Sequence, residues 1–329
     1  MLIPPRYALN SRIVELLNSI DASREVIESI TIPPKIEQHI RRQSTLKSAL
    51  FSARIEGNEI TEESYSTFPS KNQKKMEVTN ILRAMNWIVK RRKKDTALGD
   101  ILALHKEAMD GLSENAGKFR IQNEAIYNSA GIAVYMPPPP KQMNHFLKKL
   151  INYINSDKEK FVPIKAILSH YTFEKIHPFE DGNGRVGRLL IQKILWQGGY
   201  GMKGILPLEQ YLENKRANYY RALEEPEKDT TDYVVFMLEA IAETANEAKK
   251  LVLSKQEVQA SDFLLPRRAE IYKIITDQKM VNFDQIKRRF AAVNERTLRY
   301  DLKKLIDEGF IVKLGNTKGV YYKLAKSPK

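Results

Sequence analysis

A helix cannot run unbroken through His177-Pro178-Phe179-Glu180-Asp181-Gly182-Asn183-Gly184-Arg185-Val186-Gly187-Arg188. Pro178 disfavours helical backbone at the residue before it, so a helix arriving from the N-terminal side must stop at His177. Gly182 and Gly184 permit backbone angles that other residues resist. The apolar spacing then resumes, so the segment reads as helix, tight loop, helix. Successive N–H groups in such a loop can converge into an anion-binding concavity. The start of the following helix adds its positive dipole end. Arg185 and Arg188 are three apart in the first turns of that helix and project on one face. Two guanidiniums beside an anion nest suit a di- or triphosphate.

Two more groups complete a constellation. Asp181 stands at the mouth of the loop, where a carboxylate beside phosphates holds Mg²⁺, an ion that keeps most of its waters. His177 is the group in the segment that titrates near neutrality, and it can take a proton from an incoming hydroxyl. The residues alone therefore suggest phosphoryl or nucleotidyl transfer. The plainer alternative is a helical connection decorated with charges, since Gly and Asn are ordinary turn residues. It does not account for the His, the Asp, both Gly and both Arg falling together.

Around this segment the chain is mostly α. Apolar spacing predicts helices over about 10–30, 35–56, 74–93, 97–110, 141–156, 163–176, 185–197, 209–223 and 230–257. Gly57 marks the end of the second of these. The basic run Lys90 to Lys94 reads as a solvated helix end. Phe119, Ile121 and Tyr127, then Ile132, Val134 and Met136, alternate around Asn128-Ser129-Ala130-Gly131, which predicts a hairpin over 119–136 closed by Pro137 to Pro140. The last segment differs. Short helices over 267–278, 283–290 and 295–308, then strands at 310–314 and 320–324, give the layout of a winged helix. Three regions are expected: 1–95, 96–258 and 262–329, with the last boundary near Ser261-Asp262.

The signature over residues 177–188 resembles that of the Fic (filamentation induced by cAMP) family, His-Pro-Phe-x-Asp-Gly-Asn-Gly-Arg-x-x-Arg, and every fixed position is matched. The resemblance extends over roughly 97–225 and more loosely to the N-terminal helices. It implies a helical core with a β-hairpin flap and an enzyme that moves AMP from ATP to Ser, Thr or Tyr of a target protein. It makes His177 the base and Asp181 the Mg²⁺ ligand. Gly182, Asn183 and Gly184 become the anion hole, with the Asn183 side chain near the phosphates. Arg185 and Arg188 meet the distal phosphates, and Phe179 anchors the loop in the core. The hairpin 119–136 resembles the flap, whose open edge would pair with the target segment. Tyr219, Tyr220 and Leu223 fall where such proteins build the adenine pocket, although aromatic residues at helical spacing usually pack in a core.

Ser52-Ala53-Arg54-Ile55-Glu56-Gly57 resembles the same family's inhibitory motif, Ser/Thr-x-x-x-Glu-Gly/Asn. Ser52 and Glu56 share a helix face. A carboxylate in the last turn of a helix opposes the dipole and calls for a cationic partner. The resemblance implies that this partner is Arg188, which would be drawn away from the γ-phosphate. The same glutamate could also orient a water for removal of AMP.

The chain carries a net charge of +14. Residues 262–329 hold 16 Lys/Arg against 8 Asp/Glu, a net of +8. In the winged-helix reading, Arg296, Arg299, Lys303 and Lys304 lie on the recognition helix and Lys313 and Lys318 on the wing, facing either DNA or a protein. The absence of cysteine excludes a catalytic thiol and a thiolate metal site. No apolar run approaches the roughly 18–20 residues of a membrane span, and the N-terminus lacks a signal-peptide pattern, so a cytoplasmic setting and no membrane partner are expected. A homodimer stays open. A metal cluster of His105, His170, His177 and Asp181 can be drawn, but single helical histidines more often pack. Two rivals remain: a DNA-binding regulator whose core only senses nucleotide, and an enzyme of the same fold that transfers phosphocholine, phosphate or UMP.

Overall fold

The computed structural model describes residues 1–32, 34–91, 95–127, 133–254, 264–315 and 319–325. The chain divides into two compact units: Met1–Ile32, Ile40–Asn58 and Glu77–Ser254 in the first, and Pro33–His39, Glu59–Met76 and Lys255–Lys329 in the second.

The first unit is a helical assembly built around α7 (Val162–Ile176) and α8 (Asn183–Gln197). Buried residues occur on every side of α7, from Pro163 through His170 to Ile176, as expected of a helix at the centre of a core. The two helices approach closely at Gly187, where a Cβ would collide with the Glu174 carboxylate. Around them lie α1 (Ser11–Ser29), most of α2 (Pro34–Ile55) and of α4 (Gln73–Lys90), and α5 (Leu98–Met109), α6 (Pro140–Ile154), α9 (Leu208–Asn214), α10 (Arg216–Leu223) and α11 (Thr231–Leu253). Several ends have a local cause. The Asn10 side chain caps α1 by accepting the Ile13 N–H, and Pro140 opens α6 where its missing N–H costs nothing. The end of α2 is fixed by Gly57 at φ +94°, which lets the Asn58 N–H close on Ala53 O at 3.0 Å.

Three expectations change here. The span 209–223 is two helices, because Lys215 (φ −117°, ψ 36°) leaves helical geometry. The helix after the glycine loop begins at Asn183 rather than 185. The hairpin is shorter than its alternation suggested: β1 (Ile126–Tyr127) pairs antiparallel with β2 (Ala133–Tyr135). Residues 119–125 lie outside it, and the Arg120 N–H donates to Pro178 O at 3.0 Å instead of to a partner strand. The turn expected at Asn128–Gly131 is outside the described residues.

The second unit contains α3 (Glu62–Thr67), α12 (Pro266–Gln278), β3 (Met280–Asn282), α13 (Phe283–Arg289), α14 (Glu295–Asp307), β4 (Ile311–Leu314) and β5 (Tyr321–Leu324). Its antiparallel sheet runs β3-β5-β4, with Val281 opposite Tyr322 and Lys313 opposite the same tyrosine on the other side. Ile271, Ile275, Ile286, Phe290, Leu298, Leu302 and Leu305 form its core. Buried Asp301 receives the Arg267 and Arg268 guanidiniums at 2.5 and 3.0 Å. Neither α3 nor β3 was expected from the sequence, because both are too short to show a period. Lys318 and the expected boundary at Ser261-Asp262 fall outside the described residues. Among the described residues, no helix is long and apolar enough to cross a membrane.

Candidate active site

His177 ends α7 in a left-handed conformation (φ 49°, ψ 63°), with its N–H on Phe173 O at 2.9 Å. The chain then turns through a loop held from inside. Phe179 is fully buried, its ring stacked 3.7 Å from His105 and 5.4 Å from Phe119. The Asn183 side chain accepts the Phe179 N–H at 2.9 Å and donates to Phe179 O at 2.7 Å. The structure thus turns this amide inward to brace the loop, away from the phosphate role expected of it. Gly182 has φ +83°, and a Cβ there would lie 2.7 Å from Met109 Sδ, so both conformation and space require glycine.

Two residues outside the signature hold the loop from behind. His105 Nδ1 accepts the Gly117 N–H at 2.8 Å, which leaves Nε2 to donate to Asp181 O at 3.0 Å. Burial lowers the pKa of this imidazole, so it stays neutral in that role. Arg120 is almost fully buried, and its guanidinium donates to His177 O at 2.7 Å, Gln122 O at 2.7 Å and Pro138 O at 2.5 Å. One side chain therefore ties the loop after α7 to both ends of the segment that carries the β1–β2 hairpin. Nothing in sequence spacing marks it: Arg120 lies 57 residues before His177.

Both signature arginines are engaged by carboxylates from the N-terminal region. Arg188, 2% exposed, donates through Nε to Ser52 Oγ at 3.0 Å and through Nη2 to Ser52 O at 3.0 Å and Glu56 Oε1 at 2.8 Å. Burial works against its charge, but Glu56, Tyr219 and Tyr220 together more than offset this and the pKa is raised. A Cβ on Gly184 would collide with Glu56 Oε1, so that carboxylate sits over the first turn of α8, where an anion is favoured. Arg185 pairs through Nη1 with Glu77 Oε1 at 2.7 Å and through Nη2 with Asp181 Oδ1 at 2.8 Å.

His177 has its Nδ1 buried. Desolvation lowers its pKa to about 4, although the Glu174 carbonyl works in the opposite direction. At neutral pH the ring is uncharged and can accept a proton. Asp181 Oδ1 takes the Gly182 N–H and Arg185, while the side chain is 65% exposed. That geometry suits Mg²⁺, which needs one or two carboxylates and retains its waters. Among the described residues, no group of three or more His, Asp or Glu gathers as a metal cage. His170 is fully buried between Tyr233 Oη at 2.6 Å and Tyr219 Oη at 3.1 Å. Tyr219 is thus packed behind the arginines, whereas Tyr220 is 41% exposed and donates to Ile55 O at 3.3 Å.

Residues 95–195 match the family model described as the Fic/DOC family. The chain carries a Fic/DOC domain. It is 26% identical over 242 residues to the protein adenylyltransferase Fic of Drosophila melanogaster, covering 69% of this chain and 47% of that protein. The match to the Drosophila virilis protein of the same name has the same identity and coverage. The chain therefore spans about half the length of the curated relatives it matches. A crystal structure of a Fic family protein from Desulfovibrio desulfuricans G20 superposes with a TM-score of 0.65 at 22% identity, over 99% of both chains. Fic-1 from C. elegans gives a TM-score of 0.59 at 20% identity, over 75% of this chain and 74% of that one. At these identities the structural matches establish the fold.

The sequence singled out the residues of the 177–188 loop and missed those that hold it from other parts of the chain. Glu77, Arg120 and His105 each act through a contact that spans many residues of chain. A lone Glu, Arg or His in a helix or loop has no local pattern to distinguish it from surface charge.

Proposed function

We propose that the protein is an adenylyltransferase that moves AMP from ATP to a Ser, Thr or Tyr hydroxyl of a target protein and is held in check by Glu56. The observation that carries this reading is His177, uncharged at neutral pH, at the end of α7 and joined by the loop 178–182 to the N-terminus of α8, whose first turn takes the Glu56 carboxylate as an anion. The names of the Drosophila relatives support it.

In this reading, the triphosphate lies over the N-terminus of α8, where backbone N–H groups and the dipole favour negative charge. His177 takes the proton from the target hydroxyl, the hydroxyl oxygen bonds to the α-phosphorus, and the bond to pyrophosphate breaks. Arg188 balances the charge on the leaving phosphates. Asp181 would hold Mg²⁺, which supplies charge neutralisation of the phosphates when bound. The target segment lies along the flap formed by β1 and β2, as an added strand. Tyr220, exposed at the rim beside Ile55, is the better placed of the two tyrosines to meet an adenine ring.

Glu56 opposes this chemistry in two ways. It occupies Arg188, and its oxygen stands over Gly184 where a phosphate would approach. Incubation with α-labelled and γ-labelled ATP and Mg²⁺ tests the function. Label retained from the α position alone supports AMP transfer; label from the γ position means a kinase. Neither label, even after Glu56→Gly, leaves a nucleotide-sensing regulator.

A second reading concerns the C-terminal unit. The helical order and the three-stranded sheet support a winged helix, and Arg299 on α14 and Lys287 are both exposed, two cations sharing the single carboxylate of Glu295. We hold this unit to be a docking module for DNA, with a protein partner as the alternative outcome of its test.

A further inference from the structure

Glu77 is outside the signature and outside the inhibitory motif, yet it is built into the site. It lies 108 residues before Arg185, on α4, and its side chain is 13% exposed. One of its oxygens receives Arg185 Nη1 at 2.7 Å. The other receives the Asn58 amide at 2.7 Å, and Asn58 is itself buried. Both oxygens are therefore engaged, which fixes the carboxylate in place. Its burial raises the pKa, while Arg185 and Asn58 hold the charged form.

Arg185 transmits that fixation. One end of its guanidinium is on Glu77 and the other on Asp181 Oδ1, in a row that passes from buried to exposed. A planar guanidinium cannot turn without breaking both contacts. The Gly182 N–H also binds Asp181 Oδ1, at 2.5 Å. Asp181 is thus aimed with one oxygen held and the other left to accept a ligand. The row also has a charge consequence. Two carboxylates and one guanidinium sum to −1, so the cluster attracts a cation. With a neutral residue at 77, Arg185 and Asp181 would sum to zero.

The geometry points to Glu77 as a positioning residue that sets the affinity of Asp181 for the divalent cation accompanying the nucleotide. This rests on the adenylyltransferase reading above, in which Asp181 meets that cation. It adds a supporting carboxylate to the site, and it links the site to Asn58, two residues beyond the inhibitory Glu56. It also gives Arg185 a role different from the distal-phosphate contact expected from sequence.

The test uses the full chain with Glu56→Gly, Mn²⁺ as the metal probe and ATP as the nucleotide. Free and bound Mn²⁺ are counted by electron paramagnetic resonance. ATP binding in EDTA is measured separately by calorimetry. Adding Glu77→Gln is expected to weaken Mn²⁺ binding in the ATP complex by about tenfold, the scale seen for outer partners of metal ligands. ATP affinity in EDTA should stay unchanged. Glu77→Asp, which keeps the charge, should recover part of the loss. If Glu77→Gln does not fold, Asn58→Ala carries the test, since it loosens Glu77 while leaving all three charges, and a smaller loss in Mn²⁺ affinity is expected. Unchanged Mn²⁺ affinity in the folded variants overturns the inference. So does tighter ATP binding in EDTA, which would mean that Glu77 withholds Arg185 from phosphate. If the Glu56→Gly chain with Glu77 intact binds neither ATP nor Mn²⁺, the failure belongs to the adenylyltransferase reading instead.

Discussion

Glu56 Oε1 lies 2.8 Å from Arg188 Nη2 and occupies the space that a Cβ on Gly184 would need. One oxygen therefore engages both the arginine and the first turn of α8. Ser52, one turn earlier on α2, takes the Nε of the same arginine. Because Arg188 is withdrawn from solvent, removing its carboxylate partner costs more than breaking a surface ion pair.

Replacing Glu56 by Gly should free both Arg188 and the cradle. Transfer of α-labelled AMP to protein is expected to rise by about tenfold or more, a decade corresponding to ~1.4 kcal/mol of barrier. Melting temperature should fall, since buried Arg188 loses its carboxylate and keeps only uncharged partners such as Ser52. Unchanged or lower transfer in a folded variant would show that Glu56 is no brake.

Arg120→Met keeps much of the side-chain volume but removes the donors to His177 O, Gln122 O and Pro138 O. Buried acceptors left without donors cost ~1–3 kcal/mol each before relaxation. A loss of about 3 kcal/mol in urea unfolding is expected. In the Glu56→Gly background, AMP transfer should drop more than ATP affinity does, because the flap and the His177 backbone lose a common anchor. Equal losses would assign Arg120 to stability alone.

Glu174 gives a pH signature. It is largely buried, and desolvation raises its pKa from 4.5 to about 8. Between those values the folded chain keeps a proton that the unfolded chain releases, so stability falls as pH rises toward 8. His170, lowered to about 3 by burial, acts in the opposite direction, but only below about pH 6.5. Thermal melts from about pH 6.5 to 8.5 therefore separate Glu174 from the histidine. The wild type should lose stability across that range, and Glu174→Gln should flatten the slope. Parallel curves would show that the carboxyl is not protonated in the fold.

DNA docking by the C-terminal unit would follow the salt law for phosphate contacts. Binding of the full chain to a duplex should weaken linearly on a log–log plot against salt. Arg296→Ala with Arg299→Ala should reduce the slope by about one for each phosphate that the variant no longer neutralises. Absence of binding at low salt would leave protein docking as the role of this unit.

The loop of residues 177–188 was legible because its constraints are local. Pro178 ends one helix, Gly182 supplies a positive φ, and the next helix begins at once. The same locality made Gly57 readable as the stop of α2, and the 3.6-residue period revealed the long helices. Short elements such as α3 and β3 carry too few residues for any period. The shortened hairpin answers to a distant contact, as the Arg120 N–H on Pro178 O shows.

The sequence by itself determined the order of the long helices, the form of the glycine loop, and where an imidazole, a carboxylate and two guanidiniums fall along it. Only the tertiary structure decided how those groups are held. Glu77, Arg120 and His105 reach the loop from distant parts of the chain, and the Asn183 amide turns inward to Phe179. The physical reason is that a backbone turn is set by neighbouring residues. The partner of a buried charge is set by whichever side chain the packed core brings within about 3 Å of it.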